Sequence, residues 1–192
     1  MDNSRTRKAS QDRARSTAVD KFLAFYGDLA IRFATLEGTV DHLLQLLISK
    51  KDPVVGMIIT SDMPFARKIT KAKQLVRWRF CAESDIRDKA LGILGEVDKL
   101  RISRNPFIHG EWEMNDEILS QGRARCNVRR FDYTETEQQI EWSGSSLEEW
   151  TYAQFQELSQ RLAKVFPDLF WLLKQVSPET IEDYLPASED KR

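Results

Sequence analysis

The sequence predicts an all-α fold: a bundle of about four long helices with a small β-hairpin inserted before the last of them. Apolar residues recur in steps of three and four along long stretches, the spacing that lines one face of a helix. One such stripe keeps its spacing for four heptads, as a helix packed nearly along its neighbours requires. After Gly110 the chain abandons that period for short alternation. With 41% apolar residues, including ten Phe, five Trp and four Tyr, the 192-residue chain can bury a substantial core.

Composition narrows the function classes. The net charge is −1 and the pI about 6.2, so affinity for nucleic acid must come from local patches. Two cysteines, Cys81 and Cys126, make no disulfide framework, which fits a reducing compartment and packing roles. The N-terminus is basic and polar with no apolar run behind it, unlike a secretory signal. No stretch approaches the roughly 20 apolar residues that span a bilayer. The expectation is a cytoplasmic protein without a membrane segment, one domain over residues 17–176 between two tails.

Residues 1–16 are arginine-rich and read as a mobile arm or a frayed helix extension. Val19, Phe22, Tyr26, Leu29, Phe33, Leu36, Val40, Leu43 and Leu47 predict a first helix over 17–50, roughly 50 Å long. Its length exceeds what one small core needs, so part of the stripe is expected to meet a second subunit. Glu37 and Asp41 flank the stripe four residues apart. His42 reads as a helix-flank histidine. Asp52-Pro53 ends the helix, and residues 53–63 form an apolar connector with at most one short turn.

Pro64 starts a second helix reaching about Phe80, with Ile69, Ala72, Leu75 and Val76 inward. Arg67, Lys68, Lys71, Lys73, Arg77 and Arg79 give it six positive charges, with no acidic residue between Asp62 and Glu83. The face is either simply solvated or a phosphate-tracking surface, with Trp78 as a stacking platform. Ser84 or Asp85 caps a third helix whose stripe is Ile86, Ala90, Ile93, Val97 and Leu100. Arg123–Phe131 and Gln138–Trp142 predict a hairpin about the turn at 132–135, within an insertion of about 111–145. Trp112-Glu113-Met114 is a candidate third strand. Arg123 and Arg125, with Arg129 and Arg130, add a second basic cluster. Ser146-Leu147-Glu148-Glu149 is a capping box that opens a last helix. That helix carries Leu147, Thr151, Phe155, Leu158, Leu162, Val165, Leu169, Leu172 and Val176, with Pro167 expected to kink or divide it. The acidic tail, 177–192, is expected to be loose.

The candidate site lies where the third helix runs out. The next step of its stripe after Leu100 is Arg104, an arginine where an apolar side chain would be buried. A guanidinium there needs a carboxylate, a phosphate or water, and Glu37 is the candidate carboxylate. Asn105 follows, and five residues after Arg104 comes His109, one of two histidines in the chain. Pro106 and Gly110 are expected to break the helix at this point. No paired Cys/His cluster suits zinc, no glycine-rich phosphate loop precedes a helix, and no nucleophile elbow is present. No cofactor or metal is therefore expected.

Arginine, amide and histidine suit metal-free RNA cleavage by the neighbouring 2′-hydroxyl. Histidine moves protons near neutral pH, and arginine clamps and stabilises the phosphorane. One chain supplies one such histidine, so an acid–base pair of histidines would require a two-fold dimer. Arg104-Asn105-Pro106-Phe107-Ile108-His109, continuing through Gly110-Glu111-Trp112, resembles the signature of the HEPN superfamily. The resemblance implies an all-helical, commonly dimeric and metal-independent protein, with Arg104, Asn105 and His109 as active-site residues and Glu37 as the acidic partner. Many such proteins are endoribonucleases of toxin–antitoxin or phage-defence systems; others are non-catalytic. Two readings stand. In one the chain is a dimeric endoribonuclease, with an antitoxin or defence protein as a further partner. In the other it is a non-catalytic module binding RNA or protein, whose Arg/His motif is structural.

Overall fold

The computed structural model describes residues 3–132 and 141–178, with side chains over 17–128 and 146–178. The protein is mostly helical with a small three-stranded antiparallel sheet, as the periodicity predicts. Four helices are long: α1 (Asn3–Ile48), α3 (Phe65–Arg79), α4 (Ser84–His109) and α6 (Tyr152–Val176). Two are short: α2 (Pro53–Thr60) and α5 (Asp116–Ser120). The strands are β1 (Glu111–Glu113), β2 (Arg123–Asp132) and β3 (Glu141–Thr151), in the order β1-β2-β3. Among the described residues, no helix is long and apolar enough to cross a membrane.

The chain divides into two compact units. One comprises residues 1–32 and 103–160, the other 33–102 and 161–192. Helices α1, α4 and α6 each contribute to both.

In the second unit, the stripes buried are those that the spacing marks. Phe33, Leu36, Val40, Leu43 and Leu47 of α1 are buried, as are Ile69, Ala72 and Val76 of α3. Ala90, Ile93, Val97 and Leu100 of α4 join them, with Leu162, Val165, Leu169 and Leu172 of α6. The connector after Asp52 is a true helix, α2: Asp52 accepts a hydrogen bond from Val54 N, and Pro53 occupies the first turn. Proline's fixed φ and missing donor suit that position.

The first unit holds an aromatic core and the sheet. Phe22, Tyr26, Phe107, Trp112 and Phe155 meet one another, the closest pair being Tyr26 and Phe107 at 4.7 Å between ring centroids. β1 pairs with β2 through Trp112↔Cys126, and β2 with β3 through Ala124↔Trp150 and Cys126↔Glu148. Ala124 and Cys126 are buried, whereas Arg123 and Arg125 occupy the alternate face. A register shift between Arg129 and Phe131 interrupts the ladder.

Several expectations change. Ser146–Glu149 does not open the last helix: β3 runs on through Thr151, because those residues pair with β2, and Leu147 projects 64% exposed. The capping box lies five residues later. Thr151 N donates to Gln154 Oε1 at 2.7 Å, and Gln154 N donates to Thr151 Oγ1 at 3.2 Å. Thr151→Ala is expected to cost about 1 kcal/mol in thermal or denaturant unfolding. Pro167 lies inside α6 without dividing it, and Pro106 lies inside α4, which continues to His109. α5 is an unanticipated helix, capped by Asn115, whose side-chain Oδ1 accepts from Glu117 N and Ile118 N. α1 extends back to Asn3, so the backbone of most of the basic arm is helical. The expected turn beyond Asp132, the strand residues 138–140, the side chains of Arg129 and Arg130, and the tail beyond 178 lie outside the described residues.

Candidate functional site

The motif occupies the last turns of α4. Successive residues turn about 100° around a helix, so Asn105 and His109 share a face, and Phe107 points almost oppositely to His109. The burial follows: Phe107 is fully buried, while Asn105 and His109 are exposed. Arg104, at the place where the stripe passes from Leu100 to Phe107, is half-buried. Asn105 and His109 make no hydrogen bond or ion pair among the described residues, which leaves the imidazole open to solvent.

A proline three residues before a helix end would normally weaken it. Here two of the last carbonyls, those of Pro106 and Phe107, are claimed. Gly110 N donates to Pro106 O at 3.0 Å, the Cys126 thiol donates to the same oxygen at 3.3 Å, and Trp112 Nε1 donates to Phe107 O at 2.9 Å. Gly110 and the strands that follow the helix thus satisfy part of its end. Gly110 is required by close approach. A Cβ there would fall on Cys126 Sγ and on the Pro106 carbonyl oxygen. The resemblance placed weight on Gly110 and Trp112 as sequence companions of His109, and the geometry gives both a role in holding its turn.

Burial pushes the Cys126 thiol up to about 11, with the nearby Glu148 carboxylate adding to the shift. The neutral thiol is favoured in the fold. Its stabilisation is complete below the pKa of a free cysteine, near 8.5, and is lost as pH rises toward about 11. Native protein at pH 8 should therefore show one thiol, Cys81, reacting quickly with a disulfide reagent, with Cys126 reacting only after unfolding.

The other predicted residues are distributed as follows. Glu37 is half-buried on the part of α1 that belongs to the second unit, whereas Arg104 and His109 belong to the first. Asp41, beside it, holds Lys68 in an ion pair of 2.9 Å and accepts from Gln45 Nε2 at 3.1 Å. His42 is half-buried, and burial lowers its pKa against the opposing pull of Asp41. The six cations of α3 are not one surface. Lys68 is buried against Asp41, Lys73 pairs with Asp98 at 3.1 Å, and Arg79 donates to Leu46 O at 3.2 Å. Arg67 and Arg77 remain exposed, Lys71 reaches Gln74 at 3.1 Å, and Trp78 is 75% exposed. On the sheet, Arg123 and Arg125 share Glu149, at 2.7 and 3.3 Å, and Arg123 also meets Gln121. Those two arginines hold the Glu149 carboxyl below the usual range, Arg123 foremost. Their cluster is thus partly neutralised.

No protein-family model matches the chain, and neither a curated protein nor a solved structure matches it.

Proposed function

We propose that this protein is a HEPN-type, metal-independent endoribonuclease acting as a homodimer in the cytoplasm, in a bacterial toxin–antitoxin or phage-defence setting. The observation that carries the reading is the continuous end of α4: it brings Arg104, Asn105 and His109 onto consecutive turns, with the histidine turned to solvent. In the reaction, a base removes the 2′-hydroxyl proton and the 2′-oxygen forms a bond to phosphorus. The bond from phosphorus to the 5′-oxygen breaks, and an acid protonates that oxygen. The products are a 2′,3′-cyclic phosphate and a 5′-hydroxyl. His109 performs proton transfer, Arg104 stabilises the phosphorane, and Asn105 donates to a phosphate oxygen. A second His109, from the partner subunit across a two-fold axis, supplies the other proton-transfer group. Exposed Arg67, Arg77 and Trp78 and half-buried Lys71 are the residues of α3 assigned to RNA contact, with Arg123 and Arg125 on the sheet; Lys68 drops out because it is buried.

The test is a cleavage assay in EDTA on total cellular RNA and tRNA, with wild-type, Arg104→Ala and His109→Ala proteins. Cleavage by wild type alone, leaving cyclic phosphate ends, supports the nuclease. Inactivity of all three, with oligomeric state checked, counts against it. One observation favours the alternative, a non-catalytic module with a structural motif: Arg104 is half-buried on the path of the apolar stripe. That reading gives Arg104→Ala a cost in stability and gives RNA or a protein partner binding without cleavage.

A further inference from the structure

Helix α2, Pro53-Val54-Val55-Gly56-Met57-Ile58-Ile59-Thr60, has no charged residue. A helix apolar all round is ordinarily buried. Here only Gly56 and Thr60 are buried, while five large side chains from Val54 to Ile59 are 42% to 68% exposed. The seat beneath the helix explains why it holds this position. Gly56 lies so close to α1 that an added Cβ would stand 2.8 Å from Gln45 Cα, and Gln45 Nε2 donates to Thr60 Oγ1 at 3.5 Å. α2 is thus fixed on α1 by its smallest residues, and its large ones face out. A cluster of this kind marks an interaction surface.

We infer that the exposed face of α2 is the contact between two copies of this chain, paired antiparallel across a two-fold axis. The charges at its ends carry the choice of occupant. Lys50, Lys51 and Asp52 precede the helix and leave that end one positive charge in excess, Asp62 follows it, and all four are exposed. In the antiparallel arrangement the lysine end of each copy lies against Asp62 of the other, and the helix dipoles oppose. The apolar centre has no charge to oppose its own copy. A lipid surface is a poorer match, because exposed Asp52 and Asp62 balance the two lysines and leave no net attraction to anionic headgroups. Five such side chains supply roughly half of the ~800 Å² per partner found in stable complexes. The dimer is therefore a reversible one.

Sedimentation of the full chain from about 1 to 200 μM, run beside the cleavage assay, tests this. The homodimeric nuclease needs only that a dimer forms, whereas this inference also needs α2 to be its contact. Wild type is expected to dimerise with concentration. Ile58→Glu should weaken association at least tenfold with unchanged helical circular dichroism. Lys51→Asp and Asp62→Lys should each weaken it, and the double variant should recover it. A wild type that stays monomeric throughout, or a monomer that instead binds vesicles of anionic phospholipid, overturns the inference and the homodimeric nuclease together. A dimer untouched by Ile58→Glu overturns the inference, and overturns it alone if that dimer cleaves RNA.

Discussion

Alanine at His109 is expected to reduce RNA cleavage by about two to four orders of magnitude, the usual worth of a positioned proton-transfer group. The melting temperature should not follow. His109 is exposed and makes no hydrogen bond among the described residues, and surface substitutions of that kind stay within about 0.5 kcal/mol. Arg104→Ala is expected to remove cleavage to a similar extent, and Arg104→Lys should not restore it, since an ammonium cannot make the two-pronged contact of a guanidinium. The comparison separates the two readings. Activity lost at His109 with stability intact belongs to an enzyme. A His109→Ala protein that cleaves RNA as well as wild type would remove the histidine from the mechanism.

Gly110→Ala is expected to destabilise the protein by about 3 kcal/mol, the upper part of the range for overpacking a filled site. Chemical denaturation would measure it. The added methyl meets both the Cys126 sulfur and the Pro106 carbonyl oxygen. Combining it with Cys126→Ala should therefore recover only part of the loss, because the carbonyl remains. Gly110 N and the Cys126 thiol both donate to that carbonyl, so the same substitution should loosen the turn carrying His109 and lower cleavage along with stability. If Gly110→Ala unfolds with wild type, the account of how this helix end is held is wrong.

Much of the fold was legible because its helices are amphipathic and long. The spacing of Phe33, Leu36, Val40, Leu43 and Leu47 named buried residues one by one. The boundary at residue 151 was not legible. Ser146-x-x-Glu149 and Thr151-x-x-Gln154 are equally good caps locally, and only pairing with β2 commits the first to a strand. At the site, the residue types and their order were readable. Whether Pro106 would end the helix was not, since that depends on donors from Trp112 and Cys126 reaching its last carbonyls.

The sequence by itself determined the fold class, the inward faces of the long helices and the cluster Arg104, Asn105 and His109, because each depends on residue type and spacing along one chain. Tertiary structure decided which charges are surface. Lys68 reads the same as Arg67 in the sequence, yet Asp41 draws it into a buried pair. It also decided that α2 faces outward. A run of valine, methionine and isoleucine reads as core until its neighbours are placed, and the close contact at Gly56 turns it the other way. Local spacing fixes which side chains share a face; what that face meets depends on groups distant in the chain.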